Sequence, residues 1–322
     1  MKRLLIAVAV IALASPLAHS DIEPTRTTLR QHILKLINRD RQLYRLPPVQ
    51  LDLQGSVYAD NYCERQLANK TNGHFTTDGL TPYMRYSFAG GNDGVSENAA
   101  AWSANYSFND RALYEMARRS QDAMMAEMPP HDGHKRTILD PHATHVGIGV
   151  AWRDGEFRLV HEFVRRYVQW AKPLPRQAHA ADTVIATGSP LPGVQIEAIS
   201  VHHEKTPEAM PAHVANALES YSLPDKRRDY LPRLKQEYRL GHNRSLEIVK
   251  REYADGSRGD FYLADDGSFS FEVPFTEGPG VYTVVVWVRK KGAPTTIAAS
   301  NVSIRVEGST APRALRAGAL SR

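Results

Sequence analysis

The chain is 322 residues long, carries a net charge of +5 and has one cysteine, Cys63. One cysteine excludes an internal disulfide, so stability has to come from buried apolar area, which a chain of this size can supply. The charge is too mild to point to nucleic acid or an anionic membrane surface.

Lys2 and Arg3 precede an apolar run over residues 4–14, which Ser15-Pro16 breaks. Ala18-His19-Ser20 then offers small residues at the two positions a signal peptidase reads. Residues 1–20 are therefore expected to be a secretory signal. The run is shorter than the roughly 20 apolar residues a bilayer span needs. Loss of Lys2 and Arg3 with the signal leaves a mature charge of +3. No later stretch reads as a transmembrane anchor, so the mature chain is expected to be soluble and secreted, either periplasmic or extracellular. Its remaining length suits two domains.

Residues 27–41 place Leu29, Ile33, Leu36 and Ile37 on one helical face, and Leu46-Pro47-Pro48 ends the segment. A second helix is predicted over residues 53–69. Cys63 shares a face of it with Ala59 and Leu67, which predicts a buried, inert thiol. Residues 72–98 are rich in glycine and aromatics, with little period, as functional irregular segments often are. A third helix is predicted over residues 109–127, with Leu113, Met116, Ala117, Ser120 and Met124 as a core stripe. Pro129-Pro130 stops it. Residues 145–152 and 157–168 read as strands, and Asp154-Gly155 between them is a hairpin signal. Helices with an antiparallel hairpin give an α+β domain over residues 21–170.

Residues 171–190 read as a linker, with two prolines and an alanine-rich middle. Such a linker would let the two domains fold independently. Beyond it the pattern alternates at residues 194–198, 269–273 and 302–306. Residues 282–288 are densely β-branched and aromatic, with Asp266-Gly267 and Gly278-Pro279-Gly280 as turns. A small β-sandwich over residues 191–308 is predicted. Residues 225–251 are left without an assignment, and the tail, 309–322, reads as disordered.

Four residues of the first domain could carry chemistry: His74, Glu97, Glu127 and His134. Imidazoles and carboxylates hold zinc and similar cations, and the same groups transfer protons. Taken singly, each has a plainer reading. A histidine in a turn is more often a surface hydrogen-bonding residue. Glu127 reads equally as a solvated helix end and Glu97 as a loop carboxylate. His131 with His134 is a rival metal pair, ranked below the four.

Several segments, in order, carry a resemblance. They are Leu36-Ile37-Asn38-Arg39-Asp40-Arg41 with Leu46-Pro47-Pro48-Val49, then Gly73-His74-Phe75 and Ser96-Glu97-Asn98. Met124-Met125-Ala126-Glu127, Gly133-His134-Lys135-Arg136-Thr137-Ile138-Leu139 and His145-Val146-Gly147-Ile148-Gly149-Val150-Ala151 follow. Together they resemble the bacterial branch of the CAP (SCP-like) superfamily over residues 30–168. The resemblance implies an α-β-α sandwich with an open cleft lined by a tetrad of His74, Glu97, Glu127 and His134. In some members the two histidines hold a divalent cation, so it also implies a divalent-cation site at His74 and His134, with zinc the first candidate. The chain departs from the family in three ways. Ser96 stands where glycine is usual, methionines replace a common tryptophan before Glu127, and the cysteine-rich appendage and disulfides of animal members are absent.

Three functions follow, in this order. The first is a secreted protein binding a lipid, peptide or cell-envelope glycan in the cleft. The second is a cation-dependent hydrolase, with Glu97 or Glu127 as general base. No HExxH helix or GxSxG elbow supports this one. The third is an adhesive or structural protein that binds glycan or protein through its sandwich.

Overall fold

A computed structural model describes residues 26–235, 237–240, 246–249 and 251–308. The expected signal segment (1–20) and tail (309–322) lie outside the described residues. The first domain runs α1 (Arg26–Leu43), β1 (Gln50–Leu51), α2 (Leu53–Asn69), α3 (Pro82–Phe88), β2 (Gly94–Ser103), α4 (Asp110–Ala126), α5 (Gly133–Ile138), β3 (His145–Arg153) and β4 (Glu156–Arg165). Its sheet has the order β1-β3-β4-β2, with β1 parallel to β3 and the other pairs antiparallel.

Strand alternation sorts this sheet into two faces. Val146, Ile148 and Val150 of β3 and Phe157, Leu159 and Phe163 of β4 meet the apolar stripes of α1 and α4. Ala151 and Val160 meet Ala59, Tyr62 and Cys63 of α2 on the other face. Gly147 and Gly149 let α2 approach β3 closely, since a Cβ on Gly149 would lie 2.2 Å from the Ala59 carbonyl carbon. The result is an α-β-α sandwich. Asp52 caps α2 by accepting from the Gly55 amide, and Asn109 caps α4 from Ala112 in the same way. Asp154 and Gly155 both adopt positive φ, as a two-residue hairpin loop requires. Cys63 is fully buried, and burial raises its thiol well above the ordinary range.

The second domain is a β-sandwich. Its strands are β5 (Val168–Trp170), β6 (Gln177–His179), β7 (Val184–Pro190), β8 (Val194–Glu204), β9 (Arg227–Tyr230), β10 (Glu237–Leu240), β11 (Leu246–Val249), β12 (Tyr262–Leu263), β13 (Phe269–Val273), β14 (Gly280–Lys290), β15 (Thr296–Ala298) and β16 (Val302–Glu307). A short helix, α6 (Ala212–Asn216), lies between β8 and β9. One sheet has the order β12-β13-β7-β5. The other has β6-β16-β14-β8-β9, with β15 also on β14. The unassigned 225–251 stretch supplies β9 and the β10–β11 hairpin.

Two expectations need correction. Residues 171–190 are not a linker, because β6 and β7 lie within them. Leu174, Ala178, Val184 and Ala186 are buried in the sandwich core, together with Tyr167 and Val168. The sandwich therefore starts at β5 and not at residue 191. Nor are the domains separate bodies. Strand β2 is an edge of the first sheet, and the second domain caps that edge. The Gly94 amide donates to Ala299 O (2.9 Å), and Asn301 takes both the N–H (3.1 Å) and the C=O (3.0 Å) of Val95. Ser87 of α3 bonds the Ser303 amide and Asn301 O. Tyr83, Met84, Tyr86, Val95, Val164 and Val281 form an apolar cluster across the seam. Among the described residues no helix is long and apolar enough to cross a membrane.

Covering the edge this way satisfies backbone groups that would otherwise stay unpaired. Asn301→Ala is expected to destabilise the chain by about 2 kcal/mol, the cost of orphaning the two buried groups of Val95. Calorimetry should show one transition moving as a whole. Two transitions, with only one displaced, would show that the domains melt apart.

Candidate functional site

The four residues come from four elements and meet in one open cleft of about 1070 Å³. His74 stands on the loop after α2, Glu97 on β2, Glu127 at the C-terminal end of α4 and His134 on α5. They form two parallel pairs. Glu97 Oε1 lies 2.9 Å from His74 Nδ1. Glu127 Oε1 bonds His134 Nδ1, and its Oε2 accepts from the His134 amide (3.0 Å). The imidazole rings are 6.0 Å apart between centroids and nearly parallel, at 29°. A carboxylate can only accept, so each Nδ1 carries the proton, and in the neutral ring each Nε2 keeps its lone pair. Neither Nε2 has a protein partner among the described residues.

The His74 pair is built into the interior. Gly73 O accepts from Tyr62 Oη (2.9 Å) and from Gln66 Nε2 (2.6 Å), which fixes the loop against α2. Arg85 of α3 sits behind the pair. It donates to His74 O (2.6 Å), Leu80 O (3.0 Å) and Glu97 Oε2 (2.5 Å). Its guanidinium lies 3.5 Å from the centroid of the Tyr62 ring, a cation–π contact. Burial alone would raise the Glu97 carboxyl, but Arg85 and the bond from His74 outweigh it and hold the group below the usual range. Glu162, its cross-strand neighbour on β4, goes the other way: burial, and then the charge of Glu97, push it well up. These opposite shifts favour the charge on Glu97 and the proton on Glu162. The His134 pair is more open, with 33% of the histidine side chain exposed against 10% for His74.

Asn98 donates to His134 O (3.0 Å) and so ties β2 to α5. Beside it on β4, His161 is fully buried, and neither ring nitrogen has a protein partner among the described residues. Burial, and then the nearby His134, lower its pKa to about 3. Ser96, the departure from glycine, accepts from Arg165 (2.9 Å), whose other partner is Asp140 (2.7 Å). His131 lies along the same cleft, and its amide donates to Met128 O. His142 and His145 stand outside the cleft lining.

Sequence reasoning missed Arg85, Glu162 and Tyr221. The last comes from the second domain, and its hydroxyl accepts from the Glu97 amide (2.6 Å). For Arg85 a signal existed. Thr81-Pro82 is a helix start with proline in the first turn, within the stretch read as irregular. For Tyr221 nothing in its own segment pointed to a partner more than 120 residues away.

Residues 34–162 match the family model described as "CAP: Cysteine-rich secretory protein family". The N-terminal domain of the chain is thus a CAP domain. An extracellular protein containing an SCP domain from Bacillus anthracis str. Ames is 18% identical, with 44% of each chain covered and a TM-score of 0.33. An outer surface protein of Borrelia burgdorferi is 18% identical over 45% of this chain and 97% of its own, with a TM-score of 0.37. The CAP domain of enterococcal PrgA is 13% identical over 44% of this chain and 63% of its own, with a TM-score of 0.32. The alignments with the first and third span less than two thirds of those chains. No curated protein matches the chain.

Two outcomes are expected from this geometry. Arg85→Met leaves Glu97 buried without its cation and should cost about 3–5 kcal/mol in urea unfolding. Adding Glu97→Gln to that variant should recover part of the loss. No recovery would mean that Arg85 acts through its other bonds. The second outcome concerns pH. An unfolded histidine takes up a proton near 6.5, whereas His161 stays neutral in the folded chain down to about 3. Its contribution is complete above about 6.5 and lost as pH falls toward 3, about 5 kcal/mol in all. His161→Gln should therefore flatten the dependence of stability on pH in that window. An unchanged slope would place the acid sensitivity elsewhere.

Proposed function

We propose that the chain is an exported binding protein whose cleft holds a divalent cation, zinc first, between His74 and His134 and uses it to anchor a cell-envelope ligand. Export rests on the reading of residues 1–20 as a signal. The observation that carries the proposal is the pairing of each Nδ1 with its own carboxylate, which leaves both Nε2 lone pairs in one cleft. Histidines that ligate metals commonly donate their other nitrogen to a carboxylate, which fixes tautomer and ring direction. The donor set therefore fits the ion: the histidines are the ligands and the glutamates orient them. Among the described residues no group of three or more His, Cys, Asp or Glu is placed to hold a metal ion. Two protein nitrogens make an open site of modest affinity. When bound, the cation supplies a Lewis-acidic point for an oxygen of the ligand.

Binding is favoured over turnover by the state of the carboxylates. Glu97 is 3% exposed and neutralised by Arg85. Glu127 is engaged by the His134 ring and by the start of α5. Neither is a free base for water. Polar side chains, Ser96, Asn98, Thr137, Asp140 and Arg165, stand beside the tetrad in the lining. They give a glycan or peptide hydrogen-bond partners that an acyl chain would leave unused.

Calorimetric titration of the full chain with zinc is expected to show one weak site that His74→Ala and His134→Ala each abolish and His131→Ala leaves intact. Acid should release the ion, since zinc needs neutral imidazole. Undiminished uptake in the His74→Ala, His134→Ala double variant would remove the assignment. Zinc-dependent hydrolysis of an ester or peptide, lost in Glu127→Gln, would favour the enzyme reading instead.

A further inference from the structure

We propose that the C-terminal domain is a built part of the cleft, and that its Tyr221 is a positioning residue for His74. This rests on the cation reading above. The connection from β8 to β9 spans residues 205–226, long for a sandwich loop, and it crosses onto the CAP domain. Its first hold is at Met210, whose amide donates to Thr77 O (2.9 Å). Its second is Asn216 at the end of α6. That side chain accepts from the Asn72 amide (3.1 Å) and donates to Lys70 O (3.1 Å). Both holds grip the loop that carries His74, one on each side of it.

The third hold is on the site itself. Tyr221 Oη accepts the Glu97 N–H, which points away from β4 at the outer edge of β2. The Tyr221 ring meets the His74 ring edge-on, 5.0 Å between centroids at 66°. Tyr83 backs it at 6.5 Å, and its one hydroxyl proton is shared between Glu204 Oε1 (2.9 Å), where the strap begins, and Ser222 O (3.3 Å), beside Tyr221. His74 is thus fixed at Nδ1 by Glu97, at its carbonyl by Arg85 and on its ring by a residue of the other domain. No residue of the second domain makes a ring contact or hydrogen bond with His134 among the described residues. Between the holds, Leu218, Glu219 and Ser220 stand exposed along the cleft wall. A ligand resting on the cation meets both domains.

The test uses the full chain. Tyr221→Ala should weaken zinc binding about tenfold, the usual effect of losing a residue that orients a metal ligand. Tyr221→Phe, which keeps the ring, and Asn216→Ala should weaken it less. Val288→Ala, deep in the sandwich core and far from the cleft, controls for lost stability. Equal weakening in that variant, at an equal drop in melting temperature, would make the effect one of stability alone and overturn the proposal. A folded Tyr221→Ala variant with wild-type affinity would overturn it as well. Wild-type protein that takes up no zinc would remove the cation reading, and this one with it. Hydrogen exchange gives a second measurement that needs no metal. The Glu97 amide should exchange faster in Tyr221→Phe, and unchanged protection there would show that the brace is not made.

Discussion

The buried guanidinium of Arg85 holds the site in place. It reaches the carbonyl of His74, the carboxylate of Glu97 and the ring of Tyr62 at once. A charge so enclosed is tolerable only with its partner beside it, so α3, β2 and the loop after α2 must arrive together. That requirement sets the tautomer of His74, because an ionised Glu97 has no proton to give and Nδ1 must be the donor between them. The orientation of the free Nε2 is thus a consequence of an ion pair on the far side of the ring.

The two histidine pairs are alike in bonding and unlike in setting. His74 and Glu97 sit in a rigid, nearly dry corner, shared by two domains and backed by aromatic rings. His134 and Glu127 lie where one helix ends and a short one begins, with water at hand. A ligand or ion held between them meets a fixed wall on one side and an adaptable one on the other. Rigidity on one side keeps the ordering cost of binding low, and the open side leaves room for access.

The sequence made some of this legible, and the reasons are physical. Helices α1, α2 and α4 each have 17 or 18 residues and bury one face. Their period is long enough to read, as is the Asp154-Gly155 turn. Helices α3 and α5 have seven and six residues, too few to establish a period. Strand β2 hides from a hydropathy reading because its buried positions include Glu97 and Asn98, the polar groups the cleft uses. Alanine and proline in residues 171–190 suggested a linker. Yet Ala178 and Ala186 face the sandwich core, where a small side chain fits between sheets as well as it fits a loop. His74, Glu97, Glu127 and His134 could be named from local motifs. Their partners Arg85 and Tyr221 could not, since what selects them is a surface assembled only in three dimensions.

The capped edge of β2 also bears on how the molecule comes into being. Val95 is paired by Asn301, 206 positions further along the chain, and Glu97 by Tyr221, 124 positions along. A ribosome delivers the N-terminal half first. Until the last strands emerge, that half presents an open strand and a buried-type ion pair to its surroundings. Contacts between such distant parts of a chain form late and slowly, and an uncovered edge in the interval invites pairing with a neighbouring copy. The order of synthesis therefore opposes the order of stabilisation. The nascent chain has a period of vulnerability in which a holding chaperone would help to keep it single.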